Sequence, residues 1–283
     1  MSVDSGRRPT SQTSAPVTVF DDGTMSRRTD RVITEEPLEI RVSAGGESHT
    51  VAVTMRTPGA DFELAAGFLF TEGVVGNHRD IRTISYCRDD DLPPEQLYNI
   101  VIVELARLGR IDVASLERHF HMTSACGVCG KASIDAISKR GIENVGEGPV
   151  VDRHAIGALP ERLAEAQKLF ASTGALHAAG LFDPEGSLIT AREDVGRHNA
   201  VDKLVGWAVL NDRTPLGGHI LMVSGRSSFE ITQKAAVAGI PMVCSVSAPT
   251  SLAVDVAQTF GMTLVGFVRE ERFTVYSGSE RIA

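Results

Sequence analysis

The feature that most restricts the fold is a regular alternation of short apolar runs and helical patterns from Gly180 to the C-terminus. Gly180–Phe182 and Leu188–Arg192 read as strands joined by the turn Asp183-Pro184-Glu185-Gly186. A helix from about Asn199 to Leu210 follows, then strand His219–Val223 and a helix over Glu230–Ala238 opened by a Ser227-to-Glu230 capping box. Strand Met242–Val246 leads to helix Leu252–Thr259, with Pro249 in its first turn, and strands Thr263–Val268 and Phe273–Tyr276 close the chain. Such runs, too apolar to face water on either side, need a sheet covered by helices on both faces. The class is α/β.

The first half has a different rhythm. Leu38–Val42 and Thr50–Met55 alternate around Gly45-Gly46 and predict a hairpin. Asp61 to Thr71 spaces Phe62, Leu64, Ala65, Phe68 and Leu69 as a helix does. Strands over Ile81–Cys87 and Tyr98–Leu105 and a short helix over Asp112–Phe120 complete a small, β-rich N-terminal domain over residues 31–120. Residues 1–30, rich in Ser, Thr, Asp and Arg, read as a disordered, undocked tail. Residues 121–145 hold a Cys-x-x-Cys loop and a short helix, Lys131–Arg140, ended by Gly141. Residues 141–158 read as a linker, with an amphipathic helix at Glu161–Ala171, and residues 146–283 form the α/β domain.

Composition excludes several functions. A net charge of −8 argues against a general nucleic-acid surface, which needs clustered cations. No run approaches the roughly 20 apolar residues of a bilayer-spanning helix. Arg27-Arg28 lacks the apolar stretch an export signal needs, so a cytoplasmic protein is expected. In that compartment paired thiols are more often reactive or metal-binding than structural.

Of four cysteines, Cys87 and Cys244 lie in strand-like runs and read as buried hydrophobes. Cys126 and Cys129 lie in Ser124-Ala125-Cys126-Gly127-Val128-Cys129-Gly130, where small neighbours keep the sulfurs reachable. The pair could be a disulfide, half a zinc site with His119 and His121, a redox couple, or a thiolate that carries sulfur. Zinc lacks a second Cys-x-x-Cys, and thioredoxin-like chemistry needs a preceding core strand where a helical pattern stands. Sulfur carriage suits the local physics: Lys131 and the helix start beside it favour thiolate, and Cys126 is freer to swing.

Ligands of open α/β sheets sit at the carboxyl ends of strands, where loops meet helix N-termini. Ser224-Gly225-Arg226 opens a capped helix and reads as a phosphate cradle, with Lys234 adding charge from the helix. Phe267-Val268-Arg269-Glu270-Glu271-Arg272 offers two guanidinium groups for a diphosphate and a ring for a base. Glu193 to Lys203, including Arg197 and His198, has seven of eleven side chains charged, imidazole or amide, more than a helix entry needs. His177 stands among small residues just before a strand.

These segments together resemble the formate dehydrogenase accessory sulfurtransferase family, FdhD. The matching pieces are Glu36–Ile40, Met55–Gly59, Ser124–Gly130, Thr173–His177, Glu193–Ala200, Ser224–Arg226 and Ser247–Ala253, in order over residues 33 to 283. The resemblance implies a three-layer α/β/α fold of cytidine-deaminase type with an added small domain, and a homodimer. It implies Cys126 as a persulfide carrier with Cys129 as its partner, taking sulfur from a cysteine desulfurase. The acceptor would be the molybdenum bis(molybdopterin guanine dinucleotide) cofactor, held as substrate at Phe267 to Arg272 before insertion into formate dehydrogenase. No permanently bound cofactor or metal is implied. Deamination is disfavoured, because the cysteines precede His177 and His177-Ala178-Ala179 lacks the glutamate that chemistry uses. The alternative is a non-catalytic cofactor chaperone whose cysteines only contact the partner enzyme.

Overall fold

The structure, a computed structural model, describes residues 9–44, 46–87, 93, 97–106, 142 and 144–283. The expected helices at Asp112–Phe120 and Lys131–Arg140, together with His119, His121, Cys126 and Cys129, lie outside the described residues.

Six strands form the main sheet: β7 (His177–Phe182), β8 (Leu188–Asp194), β9 (Ile220–Val223), β10 (Met242–Ser245), β11 (Thr263–Arg269) and β12 (Arg272–Ser277). Their order is β12-β11-β10-β9-β7-β8, with β9, β10 and β11 parallel and antiparallel pairs at both flanks. Alternation along these strands sends two apolar sets to opposite faces. Ala178, Phe182, Ile220, Met222, Met242, Cys244 and Val265 pack on α2 (Arg153–Ala166) through Ile156, Leu159 and Leu163. Ala179, Leu181, Leu221, Val223, Val243 and Leu264 pack on the other face in one core with α4 (Arg197–Leu210), α5 (Phe229–Val237) and α6 (Ser251–Thr259). The sheet is thus covered on both faces, giving the expected three layers. Burial pushes the Cys244 thiol pKa far up, which leaves it an inert core residue.

A second sheet of order β4-β3-β6-β5 is built from β3 (Glu36–Ala44), β4 (Glu47–Arg56), β5 (Ile81–Tyr86) and β6 (Ile100–Leu105). Its buried face, including Leu38, Ile40, Val101 and Val103, packs on Leu64, Ala65 and Leu69 of α1 (Asp61–Thr71). The opposite side of α1 lies on α4, so α1 is shared by both sheets and one apolar core runs through it. Glycines make that crossing close. A Cβ on Gly67 would stand 1.8 Å from Asp202 O, and one on Gly206 would stand 1.8 Å from Glu63 O.

Several expectations are corrected. The tail forms a hairpin from residue 12 onward: β1 (Gln12–Asp21) and β2 (Thr24–Ile33) pair in continuous register. The signal overlooked by a composition argument is Asp22-Gly23, both at positive φ, which supplies the tight turn a hairpin requires. The hairpin also touches the main body, through Ser11 Oγ donating to Pro58 O and Gln12 Nε2 donating to Ser172 Oγ. Helix α2 begins at Arg153, inside the expected linker, because Asp152 caps it by accepting from His154 N–H at 2.7 Å. It stops at Ala166, and a short α3 (Lys168–Thr173) follows where one helix was expected. Pro249 precedes α6 instead of entering its first turn, since Thr250 provides the cap, accepting from Ala253 N–H.

Candidate functional site

Helices α4, α5 and α6 all begin at the carboxyl edge of the parallel strands, and their entry loops stand side by side. Ser224 N–H donates to Ala178 O at 3.0 Å, and Ala178 N–H donates to Ser224 Oγ at 2.8 Å, which ties the β9–α5 loop to β7. Gly225 lies against the neighbouring imidazole: a Cβ there would be 3.4 Å from His177 Nδ1. Burial, then the positive charges of Arg197 and His198, push the His177 pKa below its usual value, with Asp194 opposing. His177 therefore favours a neutral ring that can both donate and accept a hydrogen bond.

Across the loop, His198 Nε2 lies 2.6 Å from a Glu230 carboxylate oxygen and 3.2 Å from Ser228 Oγ. That arrangement replaces the expected capping box. The cap of α5 is Ser228 without a side-chain bond, because Ser228 and Glu230 both turn toward His198. Ser227 is fully buried, and its Oγ finds no hydrogen-bond partner among the described residues; neither does the buried Nε of Arg197. Arg226 is exposed on the same loop. Two helix N-termini, two guanidinium groups and two imidazoles thus meet at one place, an environment suited to an anionic group.

The structure therefore brings Ser224, Gly225, Arg226, His177, Arg197 and His198 together. Lys234 does not join them. Its Nζ is buried, 2.8 Å from Asp202 and 3.0 Å from Thr71 Oγ1, with Glu72 at 3.8 Å. Burial works against its charge, but the Asp202 and Glu72 carboxylates outweigh it and hold the Lys234 pKa above the ordinary value. It serves the packing of α1, α4 and α5, not the loop.

Phe267 lies on the same edge, three strand spacings from β7, or about 14 Å. Its N–H donates to Ser247 O at 3.2 Å, the residue is 45 % exposed, and its φ of 54° is left-handed, a strained conformation for an aromatic residue. Val268 is buried against α2. Arg269 points its Nη1 at the carbonyls of Val246 and Val268, so it braces the β10–α6 loop. Glu270, Glu271 and Arg272 form the exposed β11–β12 turn, where Glu270 O would be 2.1 Å from a Cβ on Gly157 of α2.

The density of polar groups after β8 has a second purpose, which sequence reasoning missed. Asp194, fully buried, accepts from Thr57 N–H (3.1 Å), Gly196 N–H (2.8 Å) and Asn199 Nδ2 (3.1 Å), and pairs with Lys203 Nζ (2.7 Å). Lys203 also donates to Thr57 O, and Asn199 to Met55 O. The Met55–Ala60 turn of the smaller sheet is thereby plugged into the entry loop of α4. Arg56, also fully buried, holds that turn through Asp61, Tyr98 O and Asn99. The available signal was Lys203 itself, a cation at an inward-facing helix position. A small cleft lined by Ser11, Pro58, Leu169, Arg192 and Lys203 lies beside this plug and shares no lining residue with the loop cluster.

The profile of the FdhD/NarQ family matches residues 33–283, nearly everything after the β1–β2 hairpin. The chain belongs to the FdhD/NarQ family. It is 49% identical over 264 residues to the sulfur carrier protein FdhD of Streptomyces coelicolor, covering 93% of this chain and 92% of that one. The sulfur carrier protein FdhD of Mycolicibacterium paratuberculosis is 48% identical over 268 residues, covering 94% of this chain and 97% of that one. A crystal structure of a formate dehydrogenase accessory protein from Desulfotalea psychrophila has the same fold, with a TM-score of 0.73 at 24% identity over 96% of this chain and 99% of that one. Membership of the FdhD/NarQ family agrees with the resemblance read from the motifs. No helix among the described residues is long and apolar enough to cross a membrane.

Proposed function

We propose that this chain is a cytoplasmic sulfur carrier and sulfurtransferase of formate dehydrogenase maturation. Cys126 accepts sulfur from a cysteine desulfurase as a persulfide and passes it to the molybdenum bis(molybdopterin guanine dinucleotide) cofactor, bound as substrate along the carboxyl edge of the main sheet. The loading step is redox-neutral: the Cys126 thiolate bonds to the terminal sulfur of the donor persulfide, and the donor cysteine leaves as a thiolate. Release as hydrosulfide requires two electrons. Cys129 supplies them by bonding to Cys126 sulfur, which closes a disulfide that a cellular dithiol reopens.

The observation that carries this reading is the meeting of His177, Arg197, His198 and the Ser224–Ser228 loop on one edge, in a chain close in sequence to sulfur carriers. The exposed Phe267 on that edge suits a base, and the buried Ser227 Oγ and Arg197 Nε, without a partner among the described residues, suit phosphate oxygens. A homodimer fits the same reading as the assembled form.

The test has two arms. Incubation with a cysteine desulfurase and cysteine should add one sulfur atom to the wild-type chain by mass spectrometry and none to Cys126→Ala. Guanosine diphosphate should raise the unfolding temperature in proportion to the logarithm of its excess. A protein that binds nucleotide but takes up no sulfur would be a cofactor chaperone only.

A further inference from the structure

Resting on the reading that the loop cluster receives an anionic nucleotide group, we propose that the Glu230 carboxylate is an internal stand-in for that anion, seated on His198 until the ligand displaces it. Glu230 lies in the first turn of α5, where free backbone N–H groups favour a negative charge. Its carboxylate is 2.6 Å from His198 Nε2, and Ser228 Oγ is 3.2 Å from the same nitrogen. The hydrogen bond from His198 holds the Glu230 pKa below its usual value; burial opposes this, and the charges of His198, Lys234 and Arg197 reinforce it. These are the surroundings a phosphate group would seek.

Among the described residues, His198 is the one side chain that pairs directly with the carboxylate. It closes no capping box, and Ser227 Oγ, which could have shared one, is buried without a partner among the described residues. The Glu230 side chain is half-exposed, so rotation into solvent can clear the site. A carboxylate that stayed would repel the incoming charge. Displacement therefore sets a threshold: a multiply charged diphosphate gains enough from Arg197, His198 and the helix ends to evict Glu230, and a weakly charged ligand does not.

Calorimetric titration of the full chain with guanosine diphosphate, and separately with pyrophosphate, tests this in wild type, Glu230→Gln, His198→Gln and the double variant. Glu230→Gln should bind both probes about 2- to 5-fold more tightly, the scale on which a partly exposed ion pair competes. In the His198→Gln background that gain should shrink toward none, since the two side chains act as one unit. Unchanged or weaker binding by Glu230→Gln, with wild type binding normally, would overturn the proposal. Gains of equal size in both backgrounds would overturn it too, because His198 would then not be the seat. If neither probe binds any of the four proteins, the nucleotide reading falls, and this inference with it.

Discussion

Gly67 of α1 and Gly206 of α4 meet backbone to backbone: a Cβ on either would stand 2.7 Å from the other's nitrogen and 1.8 Å from a carbonyl oxygen of the facing helix. Helix packing this close is open only to glycine on both sides, and it lets α1 serve two sheets at once. In an ordinary helix, glycine to alanine stabilises by up to about 1 kcal/mol. Here the sign should reverse. Gly206→Ala should destabilise by about 3 kcal/mol or more, because a backbone carbonyl, not a movable side chain, blocks the added methyl. Urea unfolding of this variant beside an exposed-helix glycine control checks the sign.

Lys234 and Asp202 form a buried pair at 2.8 Å, and removing one partner strands the other. Lys234→Met should cost about 3–5 kcal/mol, and Lys234→Met with Asp202→Leu should recover much of it. Because Lys234 points into the α1–α4–α5 packing, guanosine diphosphate affinity of the folded variant should stay within about twofold of wild type, measured where a 1 kcal/mol change would be fivefold. A large loss of affinity in the folded variant would return Lys234 to the ligand site.

The lowered His177 pKa carries a sign for stability. Unfolded, this histidine binds a proton near the ordinary histidine value of about 6.5; folded, it binds one only at lower pH. The unfolded chain therefore takes up more protons in that window. Stability is full above the unfolded value and falls as pH drops through it toward the folded pKa. His177→Gln should flatten this part of the melting-temperature profile, and histidine NMR titration should show one imidazole below the usual range.

Asp194 gathers four donors between the two sheets. Asp194→Ala leaves Lys203 buried and unpaired and should destabilise by about 3–5 kcal/mol. The conservative Asp194→Asn keeps the shape and loses the charge. It should fall between the two in chemical unfolding and, where folded, weaken guanosine diphosphate binding through the shifted Arg197–His198 loop.

What was legible in the sequence and what was not divides along physical lines. Helix Asp61–Thr71 and the β3–β4 hairpin follow from local periodicity, and α1 matches that expectation residue for residue. The gathering of Arg197 and Ser224–Arg226 at one edge follows from a rule about strand ends; His177 joins them only because β7 runs antiparallel to β9. Direction of a single side chain has no such rule. Lys234 looked like a cation at a loop, but three and four residues along a helix decide a face, and that face is the core. The Ser227–Glu230 motif is a sound capping signal that a tertiary partner, His198, overrode. Asp194 and Lys203 read as site residues because burial of a charge pair between two sheets leaves no mark in local pattern.

The sharing of α1 bears on the cysteines. Leu105 of β6 and Val145, whose N–H donates to Phe260 O, belong to the same apolar core, so the chain departs from it and returns to it on either side of residues 107–141. A proteolytic nick within that stretch would sever the polypeptide without freeing either fragment. The two pieces should co-elute as a non-covalent complex, because Leu105 and Val145 hold their ends in one core.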